Sequence, residues 1–101
     1  MGIKIRRGSG NVFRDLGFAP DEAANLQLRS DLMIQLRKRL TALRSTQQEA
    51  AQLLGVSQPR ISDLFRGRID RFSVDMLIKF LGKVGAEVRL TVRRKSSEQA
   101  G

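Results

Sequence analysis

The chain has 101 residues, with 19 Lys and Arg against 10 Asp and Glu for a net charge of +9, and a pI near 11.5. That is chain enough for one domain with one core, and the charge favours an anionic partner, most simply nucleic acid. Neither cysteine nor histidine occurs, so there are no disulfides, no thiolate zinc site and no imidazole base, and no cofactor or metal is expected.

Residues 1–11, MGIKIRRGSGN, read as a basic flexible arm, free or laid on a DNA backbone or a partner. Lys4, Arg6 and Arg7 are followed by no apolar run, so a secretory signal is not expected. No apolar stretch approaches the roughly 20 residues that span a bilayer, and a cytoplasmic location follows as the expectation. Val12, Phe13, Leu16 and Phe18 form an apolar knot closed by Gly17 and Pro20, expected to dock on the helical body.

Pro20, Asp21 and Glu22 open a long helix, with acids at the positive end of its dipole. Leu26, Leu32 or Met33, Leu36, Leu40 and Leu43 mark its buried stripe. Arg29, Arg37, Lys38, Arg39 and Arg44 make its polar side and basic end, mostly solvated, with Arg37, Lys38 and Arg44 near enough in sequence to the next segment to reach a phosphate.

That next segment, residues 46–66, TQQEAAQLLGVSQPRISDLFR, reads as two short helices around a tight turn. Thr46 and Glu49 have capping-box spacing. Ala50, Ala51 and Leu54 face inward, and Gly55 supplies the left-handed residue that stops the helix. Val56 plugs the turn, Ser57 is placed to cap the second helix, and Pro59 sits where its missing N–H costs nothing. Ile61, Leu64 and Phe65 give that helix an inward face. Small residues at the crossing and apolar ones between the helices are the helix-turn-helix arrangement, whose second helix enters a DNA major groove.

Gly67 ends the second helix, and Ser73 caps a further one with Val74, Leu77, Ile78, Phe80 and Leu81 inward and Met76 as a gap-filler, ending between Lys83 and Gly85. Residues 87–93 then alternate polar and apolar with β-branched side chains, which is strand chemistry. A strand cannot satisfy its own hydrogen bonds. It must pair with residues 2–6, with a second copy through Val88, Leu90 and Val92, or with another protein. Residues 94–101 are a polar tail. The reading is therefore mainly all-α: an arm over 1–11, a helix-turn-helix domain over 12–93 and a tail over 94–101.

The residue types on the second helix suit base reading. Gln58 can offer its carboxamide to adenine and Arg60 its guanidinium to guanine, with Ser57, Ser62 and Asp63 beside them. Asp63 could accept from cytosine or orient a neighbouring arginine. Thr46 and Gln47 sit where a side chain or backbone N–H meets a phosphate. Arg66 and Arg68 are better placed for phosphate than for bases, and Arg71 is a further candidate of that kind. A nuclease would need clustered acids, which the pattern lacks, and an RNA platform would want Trp or Tyr, which do not occur.

The segment TQQEAAQLLGVSQPRISDLFRG closely resembles the XRE (Cro/cI-type) helix-turn-helix family. With GNVFRDLGF before it and GRIDRFSVDMLIKFLGKVGAEVRLTV after it, the chain resembles compact HigA-like regulators over about residues 8–93. The resemblance implies a lambda-repressor-like bundle of four to five helices with a C-terminal strand that can pair across a dimer. It implies a bacterial or phage DNA-binding protein that represses its own operon as a homodimer on an inverted repeat. For many relatives it also implies an antitoxin that neutralises an mRNA-cleaving RelE-like toxin. In phage-repressor relatives the position matching Gln47 meets a phosphate, and those matching Gln58, Pro59 and Asp63 face the groove. Pro59 departs from the family's frequent glutamine, which shifts base reading to Gln58, Arg60 and Ser62.

Overall fold

The computed structural model describes residues 2–6 and 12–92. Strand β1 (Gly2–Arg6) is followed by the short α1 (Val12–Asp15), the long α2 (Pro20–Ala42), α3 (Gln47–Leu54) and α4 (Gln58–Phe65). A single 3₁₀ turn, η1 (Ile69–Arg71), then leads to α5 (Val74–Lys83) and β2 (Glu87–Thr91). Mainly α with a C-terminal strand is what the sequence pattern predicts.

The core joins one face of every major helix. Leu28, Leu32, Met33, Leu36 and Leu40 come from α2, Ala50, Ala51 and Leu54 from α3, Ile61 and Leu64 from α4, and Leu77, Phe80 and Leu81 from α5; Phe72, Val84 and Ala86 close it. Both Leu32 and Met33 are buried, because α2 turns a broad face rather than a narrow seam to the bundle. Four assignments differ. Leu43 lies beyond the end of α2 and is largely exposed, Phe65 and Ile78 sit at the edge of their helices' buried faces, and Leu26 is half-buried.

The turn between α3 and α4 forms as its residues dictate. Thr46 Oγ1 accepts from Glu49 N at 3.1 Å while Thr46 N donates to Glu49 Oε1 at 2.9 Å, which completes the capping box. Gly55 takes φ +71, and Val56 N donates to Ala51 O at 2.9 Å to close the helix end. Ser57 occupies the cap of α4 with extended backbone but makes no side-chain cap bond. Its hydroxyl therefore remains available to a ligand. Ser73, by contrast, caps α5 by accepting from Met76 N at 3.2 Å.

Two glycines have opposite expected responses to a methyl group. At Gly55 the added Cβ would meet Lys83 Nζ at an ordinary 3.5 Å, so the cost is the left-handed backbone alone, about 1–2 kcal/mol. Gly82 lies inside α5 with nothing within 4 Å of a Cβ, and alanine there should add about 0.5–1 kcal/mol. Urea titration should thus show Gly55→Ala shifting the midpoint down and Gly82→Ala shifting it up; the same sign for both would contradict this backbone assignment.

β1 and β2 form a parallel two-stranded sheet with Gly2 opposite Glu87 and Arg6 opposite Thr91. Of the three pairings open to the C-terminal strand, the chain takes residues 2–6, using the whole helical bundle as the crossover that parallel strands need. The flexible arm expected over 1–11 is corrected for Gly2–Arg6, which are strand; residues 7–11 lie outside the described residues, as does the tail over 94–101. Along β2, Val88 packs on the core, whereas Leu90 is 47% exposed, and Val92, just past the strand end, is 89% exposed. The N-terminal knot docks on the bundle as expected, with α1 packed against α2 and Phe13 and Phe18 meeting edge to face at 6.0 Å, while Leu16 and Val12 of the same segment stay exposed.

Candidate nucleic-acid interface

At about 100° per residue, burying Ile61 and Leu64 decides which side of α4 meets solvent. Pro59, Ser62, Asp63 and Arg66 fall on the opposite half, with Gln58 and Phe65 on one flank and Arg60 on the other. Ser57, Gln58, Pro59 and Arg66 are exposed, and Ser62 and Asp63 are half-buried. Thr46 and Gln47, at the start of α3, and Arg68, just past α4, are exposed as well. Of the residues expected to meet bases, Ser62 and Asp63 lie on the outward half of α4, Gln58 is exposed on its flank and Ser57 is exposed at its cap.

Arg60 is placed differently. Its guanidinium lies 5.0 Å from the centroid of the Phe72 ring, and its Nη2 donates to Met76 Sδ at 3.1 Å. It is half-buried on the flank that α5 and η1 cover, tied to side chains brought there from beyond α4. Nothing in the local spacing of α4 signals this, because Phe72 and Met76 arrive through a loop and another helix.

Several other cations also serve the fold. Arg29 Nη1 donates to Ile69 O at 3.1 Å and Phe72 O at 3.3 Å, clamping both ends of η1. Arg39 Nε donates to Val84 O at 2.9 Å, and Lys83 Nζ to Leu54 O at 3.1 Å. Each satisfies a carbonyl at a helix end or turn. Neither the Arg29 clamp nor the Arg39 bond is visible from sequence, since each spans forty residues or more between donor and acceptor.

Of the remaining basic candidates, Lys38 and Arg44 are exposed. Arg37 lines an open groove with Ile34, Lys38, Thr41, Ala42 and Phe65. Arg71 stands beside Asp63, with Nη1 3.9 Å from Asp63 Oδ2 and Nε 4.0 Å from Asp70 Oδ2. Arg71 is thus an arginine that neighbours Asp63, as one of the two roles open to that carboxylate requires. Among the described residues no cluster of three acids, cysteines or histidines could hold a metal. No described helix is long and apolar enough to cross a membrane.

Comparison with known proteins decides the family. A model of the helix-turn-helix domain matches residues 12–93, most of the chain. A solved structure described as an XRE-family transcriptional regulator superposes with a TM-score of 0.68 and 30% identity, covering 73% of this chain and 83% of that one. The chain belongs to the XRE helix-turn-helix family. No curated protein matches it in sequence. Within the family's architecture, α3 and α4 of this XRE chain are the helix pair, α4 its second member, and α2, α5 and the sheet the support behind them.

Proposed function

We propose that this protein is a sequence-specific DNA-binding transcriptional regulator that lays α4 in the major groove and represses by occupying an operator. The observation that carries the reading is the polar side of α4. Ser57, Gln58, Ser62 and Asp63 stand outward from a helix whose other side is locked by Ile61 and Leu64. Gln58 reads adenine through its carboxamide, and Ser57 and Ser62 supply adaptable hydroxyls. Thr46 and Gln47 meet the backbone at the N-terminus of α3, where free N–H groups and the dipole favour phosphate. Arg66 and Arg68 bind phosphates beyond the far end of α4 and set register.

The regulator acts as a homodimer on an inverted repeat, with half-sites about one DNA turn apart. Support comes from Leu90 in β2 and Val92 just past it, which leave apolar surface outside the core. Autoregulation follows if the repeat lies near the protein's own gene. A second reading adds a protein partner, an RelE-like toxin, for which the exposed Val12, Leu16 and Phe18 offer an apolar surface. Copurification of a toxin encoded beside this chain would support it, and its absence from the adjoining reading frames would remove the grounds for it.

Selection of duplexes from a random library at physiological salt tests the first reading. An inverted repeat of fixed spacing is the expected outcome, and recovery of no motif would contradict sequence reading by α4. On the selected duplex, Arg66→Ala should weaken binding to matched and scrambled sequences alike. It should also reduce the slope of log K against log salt by about 0.9, the contribution of one phosphate. A change of preferred sequence instead would make Arg66 a base reader.

A further inference from the structure

Three features near α4 do not follow from helix-turn-helix geometry alone: a carboxylate on the reading side, an arginine turned away from it, and a second arginine held over it from η1. We propose that Arg71, oriented by Asp63, is the guanidinium that reads a guanine edge beside α4, and that Arg60 is a positioning residue instead. The inference rests on the reading of α4 as the DNA-facing helix.

Asp63 occupies the outward half of α4 with its side chain 22% exposed. A carboxylate there faces a phosphate lattice of its own sign, so it costs affinity unless a cation accompanies it. Among the described residues that cation is Arg71. The guanidinium stands 3.9 Å from Asp63 and 4.0 Å from Asp70, too far for a hydrogen bond to either. Its N–H donors are therefore steered by two carboxylates and consumed by neither. A guanidinium keeps five donors in a planar fork, the geometry that meets guanine O6 and N7 together.

The mount beneath Arg71 is firm. Arg29 holds the carbonyls on either side of it in sequence, those of Ile69 and Phe72, and Phe72 is buried in the core. Arg60 stacks on that same ring and bonds to Met76, so its guanidinium braces Phe72, the residue that follows η1, from the α4 side. Arg71 is anchored at its backbone and 52% exposed at its side chain. That combination, a fixed base and a free tip, suits a reading residue. Arg60, equally fixed at its backbone within α4, has its tip held as well.

The test compares duplex selection by the full chain and by Arg71→Ala, Asp63→Asn, their double variant and Arg60→Ala, with melting curves to establish folding. Arg71→Ala is expected to cut the preference for guanine at one half-site position by about ten-fold, leaving the other positions intact. Asp63→Asn should flatten the same position, and the double variant should do no more than Arg71→Ala. Arg60→Ala should melt at lower temperature, and any preference it loses should fall at Arg71's position.

Uniform weakening of all duplexes by Arg71→Ala, with a shallower salt slope, would overturn the proposal in favour of a phosphate contact. So would a different position altered by Asp63→Asn or by folded Arg60→Ala. If the unaltered chain selects a repeat that Arg71→Ala retains unchanged, the inference alone fails. If the unaltered chain selects nothing, the reading of α4 fails and takes the inference with it.

Discussion

Leu64→Ala is expected to destabilise the protein by about 2–5 kcal/mol, the range for a buried leucine truncated in a core that only partly relaxes. Leu64 is 1% exposed and shares one cluster with residues of α2, α3 and α5. It is therefore a joint for the whole bundle as well as an anchor for α4. Domains of this size are stable by only about 5–15 kcal/mol, so the variant should lose a large share of its margin and roughly ten degrees or more of melting temperature. Ile61→Val, also in α4, should cost only about 0.5–1.5 kcal/mol. A Leu64→Ala protein that unfolds with the parent's urea midpoint would mean that α4 is not packed as described. DNA binding by this variant should fall with its folded fraction, and its preferred sequence should not change.

Gln58→Ala should act in the opposite manner. Gln58 is exposed in the first turn of α4 and makes no contact on which the core depends, so stability should stay within about 0.5 kcal/mol. What should change is discrimination at one position of each half-site, by about 1–3 kcal/mol, or roughly five-fold to more than a hundred-fold in affinity ratio. Competition binding with duplexes varied at single positions measures this directly. Pro59 sharpens the expectation, because a proline side chain has no donor or acceptor to replace the lost carboxamide. If Gln58→Ala kept the parent's preference at every position, Gln58 would be a solvent-facing residue and the orientation of α4 on DNA would need revising.

These two variants separate what was legible in the sequence from what was not. The helix pair could be read from local chemistry. The Thr46–Glu49 box, the positive φ at Gly55, the early proline of α4 and the inward Ile61 and Leu64 each depend on neighbours within about one helical turn. The strand of residues 87–91 was legible from alternation, but its partner was not, because parallel pairing joins the two ends of the chain around the entire bundle. Arg60 shows the same limit inside the site. Its spacing suits a base reader, and its contacts with Phe72 and Met76, which arrive from beyond α4, are not legible from that spacing. Phe65, Leu43 and Leu16 stay exposed because hydrophobicity says that a residue favours burial without saying that a partner surface exists to cover it.

The central claim is that α4 and the start of α3 form the DNA-facing surface. Its most direct test follows the backbone amide signals of the labelled protein by nuclear magnetic resonance as the selected duplex is added. The account predicts the largest changes at residues 46–47 and 57–63, extending to 66–71, with the buried face of α5 little affected. Changes concentrated instead on β2 or the N-terminal knot, with 57–63 unmoved, would contradict it.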